Sequence, residues 1–262
     1  MRKIVRNAFF YSVSLDPDAK NGIVAGGITD PVVIAAINNY ILSMKLNQFW
    51  NRHDKIMLIA GGTNQSTAID FKNPNTPASW NGTFTINSGG FTGNGSNGYG
   101  NLNWNPATQG VNYIQDSAGV DLYITTNVNE SKEDIGCNDG TNYITMRSRG
   151  SDFIYNNLNT SNLNFLTANT DSRGLISIDR SSSTVVKNYR NGVQVGSNGS
   201  KASTTIPSRN IYLGCSNGNG TATNFATKTY AYVGFRNSFN ATEMATLYSI
   251  IQTFQTSLSR NV

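Results

Sequence analysis

Thr184-Val185-Val186-Lys187-Asn188-Tyr189-Arg190 runs into Asn191-Gly192 and then into Val193-Gln194-Val195. An Asn-Gly pair between two alternating runs supplies positive φ at both turn positions, as a two-residue type I′ hairpin requires. The stretch predicts two antiparallel strands joined by a tight bend. Working outward, the same period of two recurs in Thr83-Phe84-Thr85-Ile86, Asp121-Leu122-Tyr123-Ile124-Thr125, Tyr143-Ile144-Thr145-Met146 and Gly174-Leu175-Ile176-Ser177-Ile178. Ser88-Gly89-Gly90, Gly93-Asn94-Gly95-Ser96-Asn97-Gly98 and Asn138-Asp139-Gly140 punctuate these runs with turns. Many short antiparallel strands at this spacing make a sandwich or a barrel.

The flanks have a different period. Asp16-Pro17 and Asp30-Pro31 each offer a helix N-cap followed by Pro at the first helical position. Ile34, Ile37, Ile41 and Met44 share one helix face, and the dense apolar run from Phe49 through Ile59 reads as a continuation of this helical region up to about Ala60. At the other end Asn240 caps a helix, with Glu243 as its capping-box partner. Met244, Leu247, Tyr248, Ile251, Phe254 and Leu258 form its buried stripe, and Arg260 complements its dipole. The expected organisation is an N-terminal arm over 1–15, a helical lead-in over 16–60 packed on the sandwich, and the sandwich itself over 61–262. The last of these ends in a helix over 240–258.

Charged residues make up only 13% of the chain, about half the usual share, so amides and hydroxyls carry the surface. Such a surface suits neutral partners: glycans, or other copies of the chain. The net charge of +5 reflects a scarcity of Glu (Glu130, Glu133 and Glu243) rather than a basic face. Apart from Met1-Arg2-Lys3-Ile4-Val5-Arg6, Lys and Arg are scattered, which argues against nucleic acid. No stretch approaches the ~18 apolar residues of a membrane span. Ile4 to Leu15 reads as an extended arm, not a signal peptide. Cys137 and Cys215 fit no metal motif and are expected as two free thiols rather than a bridge.

Catalytic chemistry finds little footing. A glycoside hydrolase needs two carboxylates across the scissile bond, and no strand carries acids at alternate positions. Glu130, Glu133 and Asp134 cluster in a polar stretch that reads as a solvated turn. His53, the single histidine, reads as a surface or capping residue. Asp16 and Asp18 could hold a cation, although helix capping explains both. No cofactor is expected. Trp80, Tyr99, Trp104 and Tyr113 lie in or near Gly/Asn-rich loops where a flat ring could stack on a sugar; the competing reading is that they fill the sandwich.

Tyr189-Arg190-Asn191-Gly192-Val193-Gln194-Val195 resembles the Y-x-N-G-x-x-V hairpin of concanavalin A-like, laminin-G-like jelly rolls. Ile211-Tyr212-Leu213-Gly214 is similar to the short strand ending in glycine of that fold. Tyr230-Ala231-Tyr232-Val233-Gly234-Phe235-Arg236 resembles its last strand, leading into Phe239-Asn240-Ala241-Thr242-Glu243 and Leu247-Tyr248. A second resemblance spans most of the chain. Gly27-Ile28-Thr29-Asp30-Pro31, Phe71-Lys72-Asn73-Pro74, Asn169-Thr170-Asp171-Ser172-Arg173-Gly174 and Phe254-Gln255-Thr256-Ser257-Leu258-Ser259-Arg260 resemble a family of phage structural, fibre-like proteins. The resemblance implies a non-enzymatic virion component, such as a head or tail fibre or a decoration protein. Its partners would be its own copies in a homotrimer, other virion proteins and host-surface glycans. The alternatives are a carbohydrate-binding adhesion module and a glycosidase or depolymerase acting through Glu130 and Glu133.

Overall fold

The computed structural model describes residues 14–262, so the N-terminal basic patch and nearly all of the expected arm lie outside it. The chain forms three layers: helices, an eight-stranded sheet and a nine-stranded sheet. Across the first sheet run Val193–Ser200, Val185–Arg190, Gly174–Arg180, Ala118–Ile124, Thr229–Arg236, Gly90–Gly93 and Phe84–Asn87, with His53–Leu58 also paired to Thr229–Arg236. The second runs Phe165–Ala168, Phe153–Thr160, Tyr143–Gly150, Ile135–Asn138, Tyr212–Leu213, Tyr99–Asn101 and Ser79–Asn81, with Ser216–Gly218 and Thr221–Thr223 attached beside Ile135–Asn138. The ladders are antiparallel, apart from the short pairing of Asn217 and Gly218 with Cys137 and Asn138. This is a lectin-like jelly-roll sandwich with N-terminal helices and a C-terminal helix.

The quoted hairpin forms as expected. Arg190 pairs with Val193 across the two-residue loop, with φ of 49° at Asn191 and 76° at Gly192. Helices α1 (Pro17–Ala25) and α2 (Pro31–Leu46) begin where the sequence places them. Asp16 accepts from the Asp18 amide at 2.9 Å, and Asp30 accepts from the Val32 amide at 2.8 Å. Lys45 Nζ lies 2.7 Å from Asp16 and 2.6 Å from Asp18, so an ammonium occupies the place considered for a cation. Two single-turn helices follow, α3 (Asn64–Thr67) and α4 (Pro106–Gln109), and then α5 (Ala241–Ser257) with both halves of its capping box made.

The central strands of the first sheet are buried on both faces, which sets their pattern. Val120, Leu122, Ile124, Ile176, Ile178, Val233 and Phe235 fill the space between the sheets. Tyr123, Leu175, Ala231 and Tyr232 meet the helical layer of Ile37, Tyr40, Ile41, Met44, Leu247, Ile251 and Phe254. A register shift between Tyr230 and Tyr232 lets Ala231 and Tyr232 both face the helices. The polar members of the alternation are buried there too. Arg236 donates to both oxygens of Asp121 at 2.8 and 2.9 Å and to Asp179 at 2.7 Å, with all three side chains fully enclosed.

Three sequence expectations are corrected here. His53–Leu58 is a strand rather than a helical continuation; it is covered on both sides, so it shows no clean alternation. The sandwich therefore reaches back across the boundary expected at residue 60. His53 is buried, its Nδ1 2.9 Å from the Phe49 carbonyl oxygen, because the strand turns it toward Phe239. Arg260 does more than serve the end of α5, where its Nε donates to Gln255 Oε1 at 2.6 Å. Its guanidinium donates to the carbonyls of Ile59 at 2.7 Å, Ser88 at 3.0 Å and Ala231 at 3.2 Å, stitching the tail to the sheet.

Candidate functional site

The outer face of the second sheet carries a polar basin. In strand Tyr143–Gly150, Ile144 and Met146 point into the sandwich, so Tyr143, Thr145 and Arg147 face outward. In Phe153–Thr160 the inward residues are Ile154 and Leu158, which leaves Asn157 outside with Thr145 directly opposite. Asn138, Asn162, Asn164, Ser216, Thr223 and Asn224 complete the rim around a cavity of about 230 Å³. Amides and hydroxyls dominate its wall, and Glu133 is its single acid.

Asn157 organises the floor. Its Nδ2 lies 3.2 Å from Thr145 Oγ1 and 2.7 Å from Asn164 Oδ1. Glu133 is 6% exposed; its Oε1 accepts from Arg147 Nε at 3.0 Å and Nη2 at 2.7 Å. Glu133 Oε2 and Ser216 Oγ are enclosed without a hydrogen-bond partner among the described residues. A buried polar atom left unpaired costs about 1–3 kcal/mol, so each is a local cost borne beside the basin. Burial pushes the Glu133 carboxyl up despite the pull of Arg147 and its charge. Arg147 Cζ lies over the Tyr155 ring, 5.0 Å from its centroid.

The acidic cluster expected as a solvated turn is instead structural, because strand Ile135–Asn138 follows directly and draws it inward. Asp134 is fully buried, holding Lys228 Nζ at 3.0 Å and the Tyr230 hydroxyl at 2.8 Å. Glu130 accepts from the Thr227 amide at 2.9 Å and hydroxyl at 3.0 Å. Neither lines the basin.

The four aromatic candidates do not come together. Trp104 and Tyr113 pack edge-to-face at 6.0 Å between the sheets, each against Phe235, and are buried; they correct the sugar-stacking reading to the core one. Trp80 stacks on Phe91 at 4.5 Å and donates from Nε1 to the Asn64 carbonyl at 3.0 Å. Its remaining edge lines a separate groove with Phe84, Pro74 and Pro77. Tyr99 is half-buried, 4.8 Å from Tyr212. Tyr212 opposes Gly136, Gly136 opposes Thr145, and Thr145 opposes Asn157, so one row across the sheet links the Tyr212 strand to the basin. The sequence reading missed Arg147, Asn157 and Tyr143 as site residues and considered Glu133 only as a hydrolytic acid. Alternation within 143–147 was the available signal.

Both cysteines are free and buried, and burial pushes the Cys215 thiol up to about 12. Among the described residues no group of His, Cys, Asp and Glu could hold a metal, and no helix is long and apolar enough to cross a membrane.

No protein-family model and no curated protein matches the chain. Solved structures do. A mutant Trypanosoma rangeli sialidase displaying trans-sialidase activity aligns with a TM-score of 0.55 at 12% identity, over 84% of this chain and 39% of that one. The receptor binding domain of the botulinum neurotoxin C/D mosaic serotype gives 0.51 at 11%, over 76% of this chain and 51% of that one. The binding domain of botulinum neurotoxin serotype D gives 0.50 at 10%, over 76% and 52%. The chain spans about half the length of the two toxin domains. At these identities the likeness is one of fold.

Proposed function

We propose that this chain is a non-catalytic glycan-binding sandwich that works as a component of a phage particle. The observation that carries the binding is the basin: a cavity of about 230 Å³ walled by amides and hydroxyls around a single acid, Glu133. Sugar hydroxyls donate to side-chain amide oxygens and accept from amide N–H groups, and Asn138, Asn162 and Asn224 bring both to the rim. The charges of Glu133 and Arg147 cancel at 2.7 Å, which favours a neutral sugar over an anionic one. The cavity is smaller than the roughly 300–1,000 Å³ of drug-sized sites, so it takes about one ring of a glycan chain.

The absence of a second acid from the basin wall supports the non-catalytic reading, because hydrolysis takes a pair of carboxylates. The particle setting rests on the sequence resemblance to fibre-like phage proteins. Self-association as a homotrimer and contact with other virion proteins belong to that same resemblance.

A glycan array probed with the wild type and with Glu133→Gln tests the binding. Neutral glycans are expected to bind the wild type, and the variant, folded by circular dichroism, should weaken them about tenfold, or about 1.4 kcal/mol. An array without neutral hits, or a variant indistinguishable from wild type, overturns the reading. Mass spectrometry of purified particles tests the setting separately: the protein is expected among the virion components, and its absence from them removes the phage assignment.

A further inference from the structure

Three cations are sealed against acids in the interior: Arg236 with Asp121 and Asp179, Lys55 with Asp70, and Lys228 with Asp134. A guanidinium keeps its proton and is no nucleophile, so the first of these is a structural pairing. Lys55 bonds one oxygen of Asp70, whose other oxygen is taken by the Ile56 and Lys72 amides. Lys228 is placed differently. Its Nζ lies 3.0 Å from Asp134 Oδ1 and 3.3 Å from Oδ2, and neither side chain has any exposed surface. Given the fixed shape of a carboxyl group, these distances set Nζ about 3–3.5 Å from Cγ, the separation of a near-attack pair. A third group stands by. Glu130 Oε1 is 3.8 Å from Nζ, and the Thr227 amide and hydroxyl hold its carboxylate in place.

We propose that Lys228 and Asp134 condense into an amide, a cross-link that the folded chain makes in itself. A proton first passes from the ammonium to the carboxylate, which leaves a neutral amine and a neutral acid. The Nζ lone pair then bonds to Cγ, and the C=O π pair moves onto Oδ2, to which the Ser148 amide donates. Glu130 takes one proton from Nζ and hands it to the hydroxyl at Oδ1. The Cγ–Oδ1 bond breaks, one water leaves, and the pair on Oδ2 re-forms the carbonyl. The Tyr230 hydroxyl, 2.8 Å from Oδ1, steadies the departing oxygen; burial pushes its pKa well above the usual range, so it stays a donor. The step balances without an oxidant: one ammonium and one carboxylate become one amide and one water. Glu130 is 15% exposed, which gives that water a way out.

The product suits its place. An ion pair shut away from solvent carries a large desolvation cost, and the amide removes both charges. Asp134 directly precedes strand Ile135–Asn138 of the second sheet, and Lys228 directly precedes Thr229–Arg236 of the first. The bond therefore ties one sheet to the other. It closes a loop across a sequence separation of 94, which takes away much of the unfolded chain's freedom. Lys228, Asp134 and Glu130 do not line the basin, so cross-link and glycan binding stand or fall separately.

Intact mass spectrometry of the full chain, denatured after days at neutral pH, tests this. The wild type is expected to be lighter than its sequence requires by the mass of one water. Trypsin does not cleave after an acylated lysine, so the digest should hold a branched peptide joining residues 133–147 to 210–236. On a denaturing gel the closed loop should migrate faster than the open chain. Glu130→Gln leaves Lys228 and Asp134 in contact and should stay at its full mass while folded by circular dichroism; Lys228→Arg should do the same. A wild type at full mass overturns the proposal. So does a loss of water confined to one linear peptide, as dehydration at Asp139-Gly140 would give, or one that joins Lys55 to Asp70 instead. A cross-link that forms unchanged in Glu130→Gln overturns the mechanism.

Discussion

His53 shows how a single residue is set by what surrounds it. Burial lowers its pKa to about 4, against the pull of Asp121 and of the Phe49 carbonyl, and with Arg236 and Lys72 adding to the lowering. The imidazole is neutral in the folded protein and protonates near pH 6.5 once unfolded. Below pH 6.5 the unfolded chain binds the extra proton, so stability is complete above that value and falls as pH drops toward 4. The loss saturates at about 3 kcal/mol. Urea unfolding at pH 7 and pH 4.5 should show this slope in the wild type and a much flatter one in His53→Gln; equal slopes would place the proton elsewhere. The burial was not legible. Arg52, His53 and Asp54 look like a surface run, and nothing local reveals that the strand turns His53 inward while Asp54 goes out to bind the Val111, Asn112 and Tyr113 amides. Glu133 and Asp134 were hidden in the same way, because their partners Arg147 and Lys228 lie 14 and 94 residues away.

At the scale of elements, the hairpin was legible because its signal is local: Asn191 and Gly192 set their own backbone. The structure adds a second demand at that corner. A Cβ on Gly192 would come within 2.9 Å of Ala245 Cα and 3.0 Å of the Met244 carbonyl oxygen, so the hairpin tip presses against the first turns of α5. Gly192→Ala should therefore cost about 1–3 kcal/mol, from the positive φ and from pushing hairpin and helix apart. Denaturant midpoints measure it, with the exposed Val193→Thr as a neutral control; a Gly192→Ala midpoint equal to wild type would mean that the tip is free to lift. Caps were equally legible, since Asp16, Asp30 and Asn240 each bond within their own first turn. Strand His53–Leu58 was not. A strand covered on both faces is a short apolar run, and such a run reads as helix or strand alike until its partner Thr229–Arg236 is known.

For the whole molecule, alternation along the strands was enough to imply a sandwich, but not which strands lie in its middle. Asp121, Asp179 and Arg236 alternate with apolar residues as solvent-facing positions would, yet the helical layer covers them and they neutralise one another. The candidate aromatics illustrate the same limit: Trp104 and Tyr113 sit in loop-like sequence, and the fold carries both into the core. The basin itself is assembled from three consecutive strands and from Ser216, Thr223 and Asn224 far along the chain, so its residues share no single motif. Its parts are nonetheless regular, with Tyr143, Thr145 and Arg147 on alternate positions of one strand and Asn157 opposite.

Amide chemical-shift mapping during titration with a neutral glycan selected on the array tests the account most directly. Saturable shifts are predicted at Asn138, Thr145, Arg147, Asn157, Asn162, Ser216 and Asn224, with the groove beside Trp80 unperturbed. Shifts gathered at Trp80, Phe84 and Gln65 instead, or a spectrum unchanged at saturating sugar, would contradict it.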